Sequence, residues 1–252
     1  MIVTIDLNCD LGESFGAYAI GNDAEVIRHI SSANVACGFH AGDPRVMERT
    51  VALAKKYGVA VGAHVGYPDR VGFGRREMSL SYAEVKSDVL YQVGALAAFC
   101  RAAEVSLRHV KPHGALYNMA GKDAVLAQAI AEAVAAFDKT LLVFAQPGSQ
   151  LAEAARGTGL RVVNEVFADR AYRADGSLVS RSVPGAVIED PEEVVARVLD
   201  MVIRRKVVTL DGQEITVDPE TICVHGDNPG ALALVVAIRE RLQAAGVKIS
   251  PP

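Results

Sequence analysis

Six groups of residues could do chemistry, and each follows a short apolar run. Asp6, Asn8, Asp10 and Glu13 form the first group, and Cys37, His40 and Asp43 the second. His64, Tyr67, Asp69, Arg70, Arg75 and Arg76 make up the third, and His109, Lys111, His113 and Tyr117 the fourth. Glu165, Asp169, Arg170 and Tyr172 come next, then His225, Asp227 and Asn228. Carboxylates and imidazoles are the side chains of general acid–base catalysis near neutral pH. Lysine and arginine can hold a carboxylate or phosphate and stabilise a developing oxyanion. Five of the six histidines fall in or just beyond apolar runs, and only His29 sits in a helical pattern. Turn formers alone would not sort histidines in this way, so one polar pocket is expected where the runs end.

The elements that must position these residues alternate regularly. Strand-like runs are expected at 2–7, 33–37, 60–63, 107–110, 141–144, 162–166 and 222–224. Helical patterns are expected at 23–30, 45–57, 82–103, 123–136, 149–155, 192–205 and 231–245. Asp43-Pro44, Asp190-Pro191 and Asn228-Pro229 each put a capping side chain before a first-turn proline. Ser81 and Glu84 form a capping box, and Gly58, Gly159 and Gly246 mark helix ends. A hairpin is expected over 207–217, turning at Asp211-Gly212. Seven strand–helix units imply a parallel sheet flanked by helices, either a closed barrel or an open doubly wound sheet, with function at the carboxyl ends of the strands. Residues 1–252 read as a single domain.

Half of the residues are hydrophobic and the net charge is −4, which suits a buried core and gives no electrostatic draw to nucleic acid. The opening residues read as a strand, not a leader, and no stretch is long and apolar enough to span a bilayer. The four cysteines form no CxxC pair, which fits a reducing, cytoplasmic setting.

Asp6-Leu7-Asn8-Cys9-Asp10-Leu11-Gly12-Glu13 and Ser32-Ala33-Asn34-Val35-Ala36-Cys37-Gly38-Phe39-His40-Ala41-Gly42-Asp43 resemble signatures of the LamB/YcsF family. Further matches are Gly62-Ala63-His64, Tyr67-Pro68-Asp69, Gly72-Phe73-Gly74-Arg75-Arg76, Val110-Lys111-Pro112-His113-Gly114-Ala115-Leu116-Tyr117-Asn118 and Val224-His225-Gly226-Asp227. One departure is Val65, where the family usually has proline; no chemical group is lost. The resemblance implies an irregular seven-stranded β/α barrel, TIM-like, of the glycoside hydrolase/deacetylase type. It also implies the A subunit of an ATP-dependent 5-oxoprolinase, which opens 5-oxo-L-proline to L-glutamate with hydrolysis of ATP to ADP and phosphate, acting with separate B and C subunits. No G-x-x-x-x-G-K-[ST] loop is present; Gly121-Lys122-Asp123 lacks the upstream glycine and the hydroxyl residue. That absence does not exclude ATP, since other nucleotide folds omit the loop; ATP is expected mainly on the partner subunits, with its contact to this chain and self-association left open.

For that reaction Asp10 and Glu13 are candidate general bases, His64 and His113 candidate proton relays, and Lys111 an oxyanion, carboxylate or phosphate partner. Asp6 is a candidate for the binding wall and a neighbour or orienter of Asp10 and Glu13, or else a turn cap. Arg75 and Arg76 are candidate substrate clamps, and Asn8, Asn34, His40, Tyr117, Glu165, His225 and Asp227 are candidates for the binding wall. Asn34 serves ligand or buried backbone, with the choice open. His109 is expected to face away from Lys111 and be structural, and Cys9, Cys37 and Cys223 to be inert. Arg70 and Arg170 can serve the site or pair with Asp69 and Asp169. Asp10, His40, His64 and His113 supply metal-ligand types, yet no HxxH-type or HxxxH-type pair falls on an expected helix and the spacing is dispersed, so a metal is left undecided. Two rival readings are a stand-alone metal-dependent amidohydrolase or deacetylase, and a non-catalytic 5-oxoproline-binding subunit.

Overall fold

The computed structural model describes residues 3–224 and 230–252. Seven parallel strands close into a barrel: β1 (Thr4–Leu11), β2 (Ser32–Ala36), β3 (Ala60–Val65), β4 (Leu107–Pro112), β5 (Leu142–Ala145), β6 (Arg161–Phe167) and β9 (Thr221–Val224). Closure is direct, because β1 pairs with β2 through Asn8–Leu11 and with β9 through Asp6–Cys9. Strands β7 (Lys206–Val208) and β8 (Glu214–Thr216) form the expected hairpin, with Gly212 at φ 78° in its turn. The short β10 (Lys248–Ile249), absent from the sequence expectations, adds in parallel to the start of β1. Of the two arrangements that the alternation allowed, the structure is the closed barrel.

Helices α1 (Asp23–Val26), α2 (Pro44–Tyr57), α3 (Tyr82–Ala102), α4 (Gly114–Ala120), α5 (Ala124–Phe137), α6 (Gln150–Gly157), α7 (Pro191–Leu199) and α8 (Ala231–Ala244) accompany the strands. Asp43 accepts from the amides of Arg45 and Val46, Asp190 from that of Glu192, and Ser81 with Glu84 makes the reciprocal box. These side chains satisfy amides that the first helical turn leaves without partners. Gly58, Gly159 and Gly246 all take positive φ after their helices. The Asn228-Pro229 signal lies outside the described residues. Helix α4 escapes the sequence pattern because it is short and directly follows β4. The first helix is shorter than expected and passes into a 3₁₀ turn, Ile27–His29, and α7 passes into a π turn, Asp200–Arg204.

Strand β1 runs four residues beyond its predicted end. Its alternation explains why: Ile5, Leu7, Cys9 and Leu11 join the apolar core, while Asp6, Asn8 and Asp10, also buried, bond to polar side chains inside the barrel. A strand with a polar inner face does not read as an apolar run. The outer layer is completed by helix faces such as Ile130, Ala131 and Val134 of α5, in one continuous core. Burying these faces against the strands is what holds the barrel's inner ring in register.

Candidate functional site

The barrel interior is layered. At the bottom, Asp6 accepts hydrogen bonds from the hydroxyls of Ser31 (2.6 Å), Ser32 (2.8 Å) and Thr221 (2.5 Å). Leu142, Phe144 and Val163 form an apolar plug. His109 stacks on Phe144 with centroids 4.0 Å apart, and its Nε2 lies 2.7 Å from Asn34 Oδ1. Burial and then the Lys111 charge depress the His109 pKa to about 3. Residues 109 and 111 are two apart on one strand, so their side chains share a face, and His109 lies inside the barrel. The expectation that it faces away is corrected, although its structural role stands. The His109 ring occupies the space a side chain at Gly62 would need: a Cβ there would sit 2.0 Å from its Nε2. The register between β3 and β4 shifts at this point, between Val61 and Gly62.

The middle layer is an ion and amide network. Lys111 Nζ donates to Asp10 Oδ1 (2.9 Å), Asn8 Oδ1 (3.3 Å) and Cys223 Sγ (3.0 Å), and it pairs with Glu165 Oε1 at 2.9 Å. Asn8 donates to Glu165 Oε1 (3.1 Å) and Thr221 Oγ1 (2.7 Å), and Asn34 donates to Asn8 Oδ1 (2.7 Å) and Asp10 Oδ1 (2.8 Å). Burial opposes the charge on Lys111, but the Asp10 and Glu165 carboxylates outweigh it and hold its pKa well above the ordinary value. The ammonium is thus a fixed positive charge. Asn34 serves other buried side chains and does not line the cavity above. Burial pushes the thiol pKa values of Cys9, Cys37 and Cys223 up, in keeping with inert cysteines, although Cys223 sits at the site itself.

The top layer holds the imidazoles. His64 Nε2 is 3.3 Å from Asp10 Oδ2, and His113 Nδ1 is 2.9 Å from His64 Nε2. His40 stacks on His113 with centroids 3.8 Å apart, and its Nε2 lies 3.4 Å from Glu13 Oε1. Burial and then His64 lower the pKa of His40, and burial and then His40 lower that of His113. Gly74, at φ 63°, leaves space for these rings, since a Cβ there would sit 2.7 Å from His40 Cβ and 2.8 Å from His113 Cδ2.

Above lies a cavity of about 750 Å³ whose lining includes Asp10, His64, Arg75, Lys111, His113 and Tyr117. Four of the five expected catalytic residues line it, and Glu13 lies beside His113 at 3.7 Å. Tyr117 is buried, and burial and then Glu165 raise its pKa well above ordinary. Asp6 does not line the cavity; it caps the polar floor and does not orient Asp10. Arg76 is bound to Asp69, which also accepts from the Gly72 amide, so the arginine braces a loop outside the lining. Arg70 donates to the carbonyls of Gly38 and Gly42, and the expected Asp69 pairing belongs to Arg76 instead. His225 and Asp227 lie outside the described residues.

Sequence reasoning missed the far wall of this cavity: Gln146, Ser149, Arg173, Ser177, Ser180 and Arg181. Arg173, Ser177, Ser180 and Arg181 fall in the glycine- and serine-containing stretch between β6 and α7, and Gln146 and Ser149 flank Pro147-Gly148 in the turn between β5 and α6. Arg170, for which the site and a partnership with Asp169 were both open, lines the cavity and donates to the carbonyls of Val179 and Ala186. Burial and then repulsion from Arg181 lower its pKa to about 10. The mouth is accordingly cationic and suited to an anionic ligand.

Residues 5–252 match the model of the LamB/YcsF family. The chain belongs to the LamB/YcsF family. It is 57% identical to the 5-oxoprolinase A subunit of Symbiobacterium thermophilum over 98% of this chain and 95% of that protein. Against the 5-oxoprolinase A subunit of Pyrococcus furiosus it is 56% identical, over 98% of this chain and 97% of the relative. The crystal structure of the lactam utilization protein from Thermus thermophilus superposes with a TM-score of 0.94 at 53% identity, covering 98% of this chain and 99% of that one. A deacetylase solved with substrate, at TM-score 0.50 and 15% identity, shares the fold alone. Among the described residues, no helix of this LamB/YcsF chain is long and apolar enough to cross a membrane.

Proposed function

We propose that this chain opens the ring of 5-oxo-L-proline as the A subunit of an ATP-dependent 5-oxoprolinase, together with B and C subunits. The observation that carries the reading is the buried Asp10–Lys111–Glu165 network, with His64 and His113 beside it, at the floor of a cation-lined cavity. A lactam carbonyl is a poor electrophile, and phosphorylation of its oxygen by ATP makes the ring carbon attackable. Asp10 is the base that takes a proton from the attacking water, and Lys111 balances charge on the tetrahedral centre. Collapse with C–N cleavage needs a proton on the departing nitrogen, and Asp10 returns the one it took from water, with His64 beside it to hold the carboxyl in place. That leaves an acyl phosphate, and a second water releases phosphate and glutamate. Arg75 and the arginines of the far wall hold the substrate carboxylate and the phosphoryl group. ATP itself is bound mainly by the partner subunits.

Glutamate release is measured for the chain alone and with the B and C subunits, each with and without ATP. Turnover only with partners and ATP is expected. Partner-free, ATP-independent turnover would replace this reading with that of a stand-alone amidohydrolase, for which the buried histidine cluster is the favouring observation.

A further inference from the structure

The two histidines beside Asp10 pose a problem of proton counting. Nδ1 of His64 lies 3.0 Å from the Lys111 carbonyl oxygen, and Nε2 of His113 lies 2.8 Å from that of Phe73. A carbonyl oxygen only accepts, so both of these nitrogens carry the hydrogen. The remaining nitrogens, His64 Nε2 and His113 Nδ1, face each other at 2.9 Å. With one hydrogen per ring, each offers a lone pair and neither offers a donor. The nearby carboxylate oxygens are acceptors as well: Asp10 Oδ2 is 3.3 Å from His64 Nε2, and Glu13 Oε1 is 3.7 Å from His113 Nδ1. All four side chains are buried. Lone pairs that converge out of water call for a positive centre between them.

His40 supports the same centre indirectly. Its Nδ1 packs on Gly66, where a Cβ would meet it at 2.6 Å, and makes no hydrogen bond among the described residues. Its hydrogen therefore belongs on Nε2, which donates to Glu13 Oε1 at 3.4 Å and aims that carboxylate.

We propose that His64 Nε2, His113 Nδ1 and the Glu13 carboxylate hold a divalent metal ion of zinc-like preference, with Asp10 Oδ2 beside it. Candidate ligand atoms of Glu13, His40, His64 and His113 lie within 4.8 Å of one another, a span that bonds of about 2.0–2.2 Å to one ion can close with small side-chain movements. Both ligating rings donate their second N–H to a backbone carbonyl, the arrangement that fixes tautomer and direction in metal-binding imidazoles. Mixed imidazole and carboxylate donors suit zinc and its neighbours better than calcium or magnesium. His64, His113 and Asp10 line the cavity, so one coordination position faces the ligand space. Such an ion would act there as a Lewis acid or activate a water. The inference concerns the same site as the proposed reaction without depending on it, because binding is read with no substrate present.

The full chain, stripped with chelator, is titrated with Zn²⁺ by calorimetry and with Co²⁺ by visible absorption. One ion per chain is expected, with Co²⁺ bands of nitrogen and oxygen ligation. His64→Asn and His113→Asn should each weaken binding by roughly 100-fold, toward or beyond the upper range for losing a supporting group, whereas His29→Ala should leave it unchanged. Should either asparagine variant fail to fold, the wild-type Co²⁺ spectrum still decides. Absence of stoichiometric binding would mean that the two rings share a proton, and a thiolate charge-transfer band would move the ion to a cysteine; either result overturns the proposal.

Discussion

Asp6 offers a quantitative test of how this barrel is stabilised. The carboxyl is 1% exposed and accepts from Ser31, Ser32 and Thr221, yet burial outweighs those bonds and raises its pKa from 3.8 to about 6. The folded protein therefore holds this proton more tightly than the unfolded chain does. The associated stability is fully present below about pH 4 and is lost as pH rises through about 6. A shift of about two units corresponds to about 3 kcal/mol between those limits. Asp6→Asn removes the titration while keeping the shape. Its oxygen can still accept from Ser31 and Ser32, but an amide facing Thr221 deprives that hydroxyl of its acceptor, at a cost of about 1 kcal/mol. The variant should thus be about 2 kcal/mol more stable than the parent at pH 8 and about 1 kcal/mol less stable at pH 4. Urea unfolding followed by circular dichroism across this range gives the difference directly, provided the transitions are two-state. A difference that stays flat with pH, or an asparagine variant that is weaker throughout, would refute the argument.

Three further outcomes follow from the geometry. Lys111→Met leaves Asp10 and Glu165 facing each other without their shared cation, so unfolding free energy should drop by about 3–5 kcal/mol and glutamate release should vanish; adding Glu165→Gln should restore part of the stability but not the turnover. Gly62→Ala forces His109 out of its position against Phe144 and should lower the melting temperature, while Gly94→Ala, where a Cβ meets nothing within 4 Å, should not. Arg75→Ala should raise KM for 5-oxoproline roughly tenfold or more, the loss of one charged hydrogen bond, with a smaller change in kcat; an unchanged KM would place the substrate carboxylate elsewhere.

The local signals in the sequence are reliable where the physics is local. Caps at Asp43, Ser81 and Asp190 and left-handed glycines at 58, 159 and 246 act within a turn of chain, and the structure reproduces each. The clustering of acids, histidines and Lys111 after apolar runs likewise points to one end of a parallel barrel, because strands fed by crossover helices present all their carboxyl ends on the same face.

What tertiary structure alone decided is which of those residues meet. Asp10 and Lys111 are 101 residues apart in sequence, and the closure of β1 onto β2 and β9 brings them to 2.9 Å. Asp6 and Asp10 share a motif and a strand face, but four residues along β1 separate the barrel floor from the cavity, so the first is a buried structural acid and the second lines the site. Arg75 and Arg76 are neighbours with opposite fates, one at the cavity and one bound to Asp69. Gly62 carried no message alone; its meaning is the His109 ring that fills its missing side chain from the next strand. Composition and spacing fix which chemistry is available, whereas strand register and barrel closure fix which groups share a low-dielectric space, and that sharing sets their charge.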